Sequence, residues 1–191
     1  MLIHEAALKV VWPSLVKSLT ELEIILKCDF ECKQHLPSDL SKEQHVFIQD
    51  SKEEDYTTEF LNLTLAVKVV PSVQEAIQHI NTYGSHHTDS IVTETPLSAR
   101  LFTKMVDSAG VYVNASTRFA DGFRYGFGTE VGVSTNKTHA RGPVGLQGLM
   151  IYKYLIKSEG DTGHVTTDYG SADGKKRFKH QLITKLEEPP F

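Results

Sequence analysis

The 191-residue chain contains no apolar run of membrane-spanning length, and its first residues lack a basic region followed by an apolar core. No membrane partner and no secretory leader are therefore expected, and a cytoplasmic protein is the natural reading. Cysteine is scarce. Cys28 and Cys32 stand in C-x-x-x-C spacing, with no second pair or nearby histidine doublet to complete a zinc site, so they read as reduced thiols. A basic excess is also missing: 20 Lys and Arg stand against 24 Asp and Glu, and the basic residues are scattered. That argues against a nucleic-acid groove. No Gly-x-Gly-x-x-Gly turn occurs, so the usual dinucleotide phosphate cradle is not expected within these residues. Three glycosylation sequons (Asn62, Asn114, Asn136) lack a secretory context and read as chance.

What is present is an ordinary globular composition, 40% hydrophobic and 23% charged, in a length that suits one domain plus an appendage. A short strand at residues 2–4 leads into a helix over residues 5–23, whose apolar stripe is Ala6, Val10, Leu15, Leu19 and Leu22. Pro13 suits a first turn and otherwise kinks the helix. A second strand covers residues 23–26, a helical turn residues 29–36, and a polar loop with one small strand residues 38–55. LTLAVKVV (63–70) reads as a buried strand. Ser72 caps a helix over residues 73–83 with Ala76, Ile77 and Ile80 inward, and Gly84 stops it. A strand at residues 90–93, a helix led by Pro96 and capped by Thr95, and a strand at residues 109–114 complete the alternation. Strands alternating with helices at this spacing give an α/β fold with a mostly parallel sheet. MIYKYLI, from Met150 to Ile156, alternates as a late strand with no helix after it, and the remainder reads as an extended tail.

The chain is organised around residues 108–149. There a strand breaks into NASTRF and gathers the polar groups of Asn114, Ser116, Thr117 and Arg118 at one strand end, where α/β sheets usually hold ligands. Seven glycines follow between Gly122 and Gly148, more loop than a connection needs. His79, His86 and His87 invite a metal reading, but they are adjacent or seven apart, and metal pairs want three- or four-residue spacing. No metal site is expected.

VNASTRF, GFGTEVGVST and HARGPVGL resemble blocks of the gamma-glutamyl phosphate reductases, also called glutamate-5-semialdehyde dehydrogenases, in the aldehyde dehydrogenase superfamily. EAIQHINTYGSHHTDSIVTE is similar to another of their segments, and MLIHEA to a segment LLIHE. The resemblance implies a C-terminal portion: residues 1–149 as part of a three-layer catalytic domain, residues 150–191 as an oligomerisation strand and tail. It implies an oxidoreductase of proline biosynthesis, converting L-glutamyl 5-phosphate to the semialdehyde with NADPH. Within it, Asn114, Ser116, Thr117, Arg118 and Phe119 are the expected substrate residues, with Asp121, Arg124, Glu130, His139 and Arg141 as weaker candidates. Glu59 and Phe60 in TTEF are the expected cofactor residues, although Leu61, Asn62 and Leu63 follow where the superfamily has Phe, Gly and Pro. The family's nucleophilic cysteine is expected upstream of Met1, so no catalytic residue is assigned here and the chain alone is expected to be inactive. Homo-oligomerisation through residues 150–156 is expected. A non-catalytic relative kept for subunit association or regulation is the alternative.

Overall fold

The structure, a computed structural model, describes residues 1–132, 134–155 and 166–177. The chain divides into two compact units, Met1–Met150 and Ile151–Phe191. In the first, β1 (Leu2–His4) runs into α1 (Glu5–Glu21), followed by β2 (Ile25–Cys28), α2 (Phe30–Gln34), α3 (Lys42–His45) and β3 (Ile48–Asp50). Then come β4 (Thr64–Val70), α4 (Val73–Tyr83), β5 (Thr88–Ile91), α5 (Pro96–Met105), β6 (Gly110–Val113) and α6 (Leu146–Leu149). The strands form two sheets, one ordered β1-β4-β2-β3 and the other β5-β6, and every ladder in both is parallel. The expected α/β architecture with a parallel sheet is what the chain adopts.

The core lies against the four-stranded sheet. Ile3, Leu8, Trp12, Val16, Leu26, Cys28, Cys32, Leu40 and Val67 form one buried cluster. The buried stripe of α1 is therefore Leu8, Trp12, Val16 and Thr20, and not the one expected. Val10 is 78% exposed, whereas Trp12 is 0% exposed and its indole donates to the Cys32 carbonyl at 2.9 Å. The largest apolar side chain with a polar partner to reach sets the rotation of the helix, and Leu15 and Leu19 pack only at its margin. Pro13 lies inside α1 rather than in its first turn. Its missing N–H costs one helical bond, and burial of Leu8 and Trp12 before it and Val16 after it holds the helix together. The helix ends at Glu21, and Glu23 takes φ 57° at the turn into β2.

The helix over residues 73–83 forms as expected: the Ser72 hydroxyl accepts from the Glu75 N–H at 3.1 Å, and Ile77 is buried. Gly84 ends it for a different reason from a left-handed turn. Its φ is −70°, and an added Cβ would lie 2.5 Å from the Ile80 carbonyl oxygen. Thr95 occupies the N-cap of α5 without a side-chain capping bond. The polar loop before β4 contains α3, held by reciprocal bonds between Ser41 and Gln44. Residues 150–155 carry no strand, although their alternation predicts one. A strand exists only where its backbone groups find a ladder, and alternation supplies the face but not the partner. Ile156 lies outside the described residues. In the second unit, the described residues contain a 3₁₀ turn, Thr166–Asp168, and a single parallel bridge between Tyr169 and Lys176.

Candidate functional site at the ends of β5 and β6

The end of β6 is fixed by an asparagine. Asn114 adopts φ 52°, its N–H donates to the Ile91 carbonyl at 2.8 Å, and its side-chain amide both accepts from and donates to the backbone of Thr93 at 2.9 Å. Asn114 thus spends its side chain on tying the ends of β5 and β6 together, a conformation that Asn tolerates better than most residues. Ser90 reinforces the junction, its hydroxyl donating to the Ala115 carbonyl at 2.7 Å. The chain then turns through a 3₁₀ segment, Thr117–Phe119, capped by the Ser116 hydroxyl. Arg118 and Phe119 project from this turn. Phe119 is 54% exposed, and the Arg118 guanidinium is exposed and makes no ion pair or hydrogen bond among the described residues.

A cleft of about 1350 Å³ opens beside this turn, between β1 and β5, with α1, α4 and α5 contributing walls. Phe60 and Thr117 both line it, so one expected cofactor residue and one expected substrate residue share a cavity. Glu59, Arg118 and Phe119 are not among its lining residues. Glu59 is exposed and unpaired among the described residues, while Phe60 lies under the Lys27 ammonium at 5.2 Å.

The weaker candidates have structural work. Asp121 accepts from the N–H groups of Phe123 and Arg124 and pairs with the Arg124 guanidinium at 2.7 Å, closing a turn. An added Cβ at Gly122 would sit 1.8 Å from the Thr129 carbonyl oxygen, so only glycine permits that close approach. Arg141 donates to the Asp107 carboxylate and to the carbonyls of Asp107 and His86, and Lys137 reaches the same carboxylate at 2.8 Å. Hydrogen bonds from Lys137 and then Arg141 hold the Asp107 carboxyl below the usual range. These contacts pin the glycine-rich segment beside the starts of β5 and β6, the opposite strand ends from Asn114. Glu130 and His139 are exposed.

Among the described residues no cluster of three or more His, Cys, Asp and Glu side chains is placed to hold a metal ion. His86 Nδ1 meets the Asp107 carbonyl at 2.8 Å, and His87 Nδ1 the Thr88 hydroxyl at 2.8 Å. His79 lies between Tyr56, which it meets edge-on, and Tyr83, which it meets at a tilt, with ring centroids 5.0 and 4.6 Å away. Burial and then the Lys68 ammonium lower its pKa.

Sequence reasoning missed one ion pair at the cleft. Asp55 is 4% exposed, meets the Lys27 ammonium at 2.5 Å and accepts from the Lys52 N–H at 2.7 Å. Burial pushes its carboxyl up, but the Lys27 and Lys52 hydrogen bonds outweigh this and the net shift is down. Lys27 alternates onto one face of β2, which is readable, but a partner 28 residues away is not.

No protein-family model matches the chain. The chain is 52% identical over 183 residues to a probable gamma-glutamyl phosphate reductase of Schizosaccharomyces pombe, covering 96% of this chain and 40% of that protein. It is 46% identical over 185 residues to the gamma-glutamyl phosphate reductase of Acetivibrio thermocellus, covering 97% and 39%. The crystal structure of the Thermotoga maritima gamma-glutamyl phosphate reductase superposes with a TM-score of 0.73 at 39% identity, over 85% of this chain and 37% of that one. The chain is therefore a homologue of the gamma-glutamyl phosphate reductases, spanning about two-fifths of the length of the curated relatives it matches.

Proposed function

We propose that the chain is the substrate-binding, C-terminal catalytic-domain part of an NADPH-dependent reductase that converts L-glutamyl 5-phosphate to L-glutamate 5-semialdehyde, in the cytoplasm, for proline biosynthesis. The observation that carries this reading is Arg118. It is an exposed guanidinium with no partner among the described residues, on a turn that Asn114 and Ser90 fasten to the strand ends. A planar guanidinium grips a carboxylate or a phosphate through two parallel hydrogen bonds, and glutamyl phosphate offers both. Ser116 and Thr117 add hydroxyl donors, and Phe119 an apolar wall. Asn114 acts as a positioning residue, because both ends of its amide already serve the backbone.

NADPH, when bound in a complete enzyme, supplies hydride. Of this chain's residues, Glu59 suits the cofactor's ribose hydroxyls, since its carboxylate is a two-oxygen acceptor with no partner among the described residues. Nothing equivalent to a phosphate cradle accompanies it, so tight binding to this chain alone is not expected. Cys28 and Cys32 are unsuited to nucleophilic attack. Both are buried, and burial pushes the Cys28 thiol up to about 12 and the Cys32 thiol upward as well, far from the thiolate that covalent catalysis requires.

A second role is favoured by one feature. Ile151, Tyr152, Tyr154 and Leu155 are exposed by 71% or more, an apolar run suited to strand pairing with another copy. Association through residues 150–156 belongs to the same proposal, and a purely associative protein is the alternative.

The test uses a chimera in which this chain replaces the matching segment of the Schizosaccharomyces pombe relative. Arg118→Ala is expected to raise KM for the acyl substrate and lower kcat/KM by roughly thirtyfold or more, with KM for NADPH nearly unchanged. Unaltered kinetics would refute the assignment of Arg118, and an inactive parent chimera with native folding would favour the associative reading.

A further inference from the structure

The four-stranded sheet has two unlike faces. Leu26 and Cys28 of β2 and Val67 of β4 turn to the buried core that α1 covers. Side chains alternate along a strand, so Lys27, Ala66 and Lys68 share the opposite face, with Lys27 in register with Ala66. Residues 53–60 run across that face as a strap, and each lysine takes hold of it. The Lys27 ammonium meets the Asp55 carboxylate at 2.5 Å and lies 5.2 Å from the centroid of the Phe60 ring. The Lys68 ammonium lies 5.2 Å from that of Tyr56. Lys27 does not line the cleft, whereas Asp55, Tyr56, Thr58 and Phe60 do, so it acts from beneath the strap.

Glu59 sits where the strap has the fewest ties. Among the described residues no backbone–backbone hydrogen bond reaches residues 58–60, and the next ladder strand, β4, starts at Thr64. Side chains do the anchoring instead. On one side of Glu59 the Thr58 hydroxyl donates to the Glu54 carbonyl at 2.7 Å, and on the other the Phe60 ring rests on Lys27. Leu61 then takes φ 54°, which turns the chain directly after Phe60. A carboxylate on a loosely held segment must be ordered before it can serve a ligand, and that ordering subtracts from affinity. The lysine beneath is itself held in place: Asp55 is 4% exposed, and separating such a buried charge from its partner is costly. We infer that Lys27 is a positioning residue of the cofactor site: its ammonium, clamped by Asp55, fixes Phe60 and thereby aims the Glu59 carboxylate. Lys68 secures the strap at Tyr56, and Lys27 secures the end that carries Glu59. This role rests on the assignment of Glu59 to the ribose hydroxyls of NADPH.

The experiment uses the chimera with the Schizosaccharomyces pombe relative and reads the Kd for NADPH from its fluorescence on titration, beside the KM for the acyl substrate. Lys27→Met leaves a buried carboxylate unpaired, so it is accompanied by Lys27→Met/Asp55→Asn, which has no unpaired charge and keeps an acceptor for the Lys52 N–H. The Kd is expected to rise roughly tenfold in both variants and in Glu59→Gln, with the KM for the acyl substrate within about twofold of the parent. Adding Lys27→Met to Glu59→Gln should weaken NADPH little further, because both act through one carboxylate. Lys27→Arg keeps a cation beside Asp55 and Phe60 and should stay within about threefold of the parent. Lys33→Met breaks a similar pair, with Asp50, away from the cleft and should leave the Kd unchanged. A weakened Glu59→Gln beside unaltered Lys27 variants would overturn the role of Lys27 and leave the assignment of Glu59 standing. Equal losses for NADPH and the acyl substrate in the Lys27 variants would also overturn it, as the mark of a merely structural pair. An unaltered Glu59→Gln would overturn the cofactor assignment itself, and the role of Lys27 with it.

Discussion

The two sheets of the first unit are built from the same parts and differ in how fully they are closed. The four-stranded sheet and the helices packed on it share a cluster of nine buried residues, with Trp12, Leu26 and Val67 fully enclosed. The apolar cluster of the two-stranded sheet and its helices has three buried residues, Ile77, Phe102 and Val106, and no residue of β5 is fully buried. A pair of strands with a three-residue core is marginal by itself, whereas four strands with a helix laid across them are not. The residues that the proposed chemistry needs, Asn114 to Phe119, sit on the less closed side. On the proposed reading, the larger core and the substrate-binding residues are divided between the two sheets, with the latter on the more sparsely buried one.

The largest expected effects come from the two cores. Trp12→Ala should cost about 4 kcal/mol in a urea titration, through lost burial and the orphaned Cys32 carbonyl, and should shift the whole cooperative transition. Phe102→Ala should cost about 3 kcal/mol but chiefly as opening of β5 and β6, leaving the far-ultraviolet transition of the larger sheet within a smaller shift. Equal global shifts from both variants would mean that the sheets are one cooperative unit and would break the contrast. A smaller effect, about 2 kcal/mol, is expected from Asp55→Ala, which leaves the Lys27 ammonium without its carboxylate; the midpoint of thermal unfolding would record it.

The smallest effect is a pH slope. The folded-state pKa of His79 lies below its unfolded value, so the unfolded chain takes up the proton first on acidification. Stability is fully present above the unfolded value of about 6.5 and is lost as pH falls through it toward the folded value. Lys68 adds to the shift and Glu53 opposes it. Melting temperatures between about pH 7.5 and about pH 5.5 should fall in the wild type and fall less in His79→Phe. An unchanged slope in that variant would remove His79 from the account.

Local signals were legible in the sequence and long-range ones were not. Ser72 and Gly84 bracket α4 because capping and close backbone approach act within a turn of the chain. The parallel α/β alternation was readable for the same reason, as was the polar turn after β6. The rotation of α1 was not, since two apolar stripes compete there and the contact from Trp12 to Cys32 decides between them across 20 residues. Asn114 was recognisable as a strand-end residue, but its amide's commitment to Thr93 depends on a neighbouring strand. The pairing of Arg141 with Asp107 was not readable, because the two lie 34 residues apart with β6 between them. Residues 150–155 show the limit most plainly: their alternation is real, but a ladder needs a partner that alternation does not name.

The claim that ties these observations together is that the first unit is one well-buried sheet beside one sparsely buried sheet. Native-state hydrogen exchange of the chain alone, residue by residue under increasing denaturant, tests it most directly. The amides of Leu26 and Val67 should exchange only through global unfolding. Those of Ile91 and Tyr112 should exchange through a separate opening that costs less free energy and exposes less surface. Merging of all four amides onto a single global unfolding event would contradict the account.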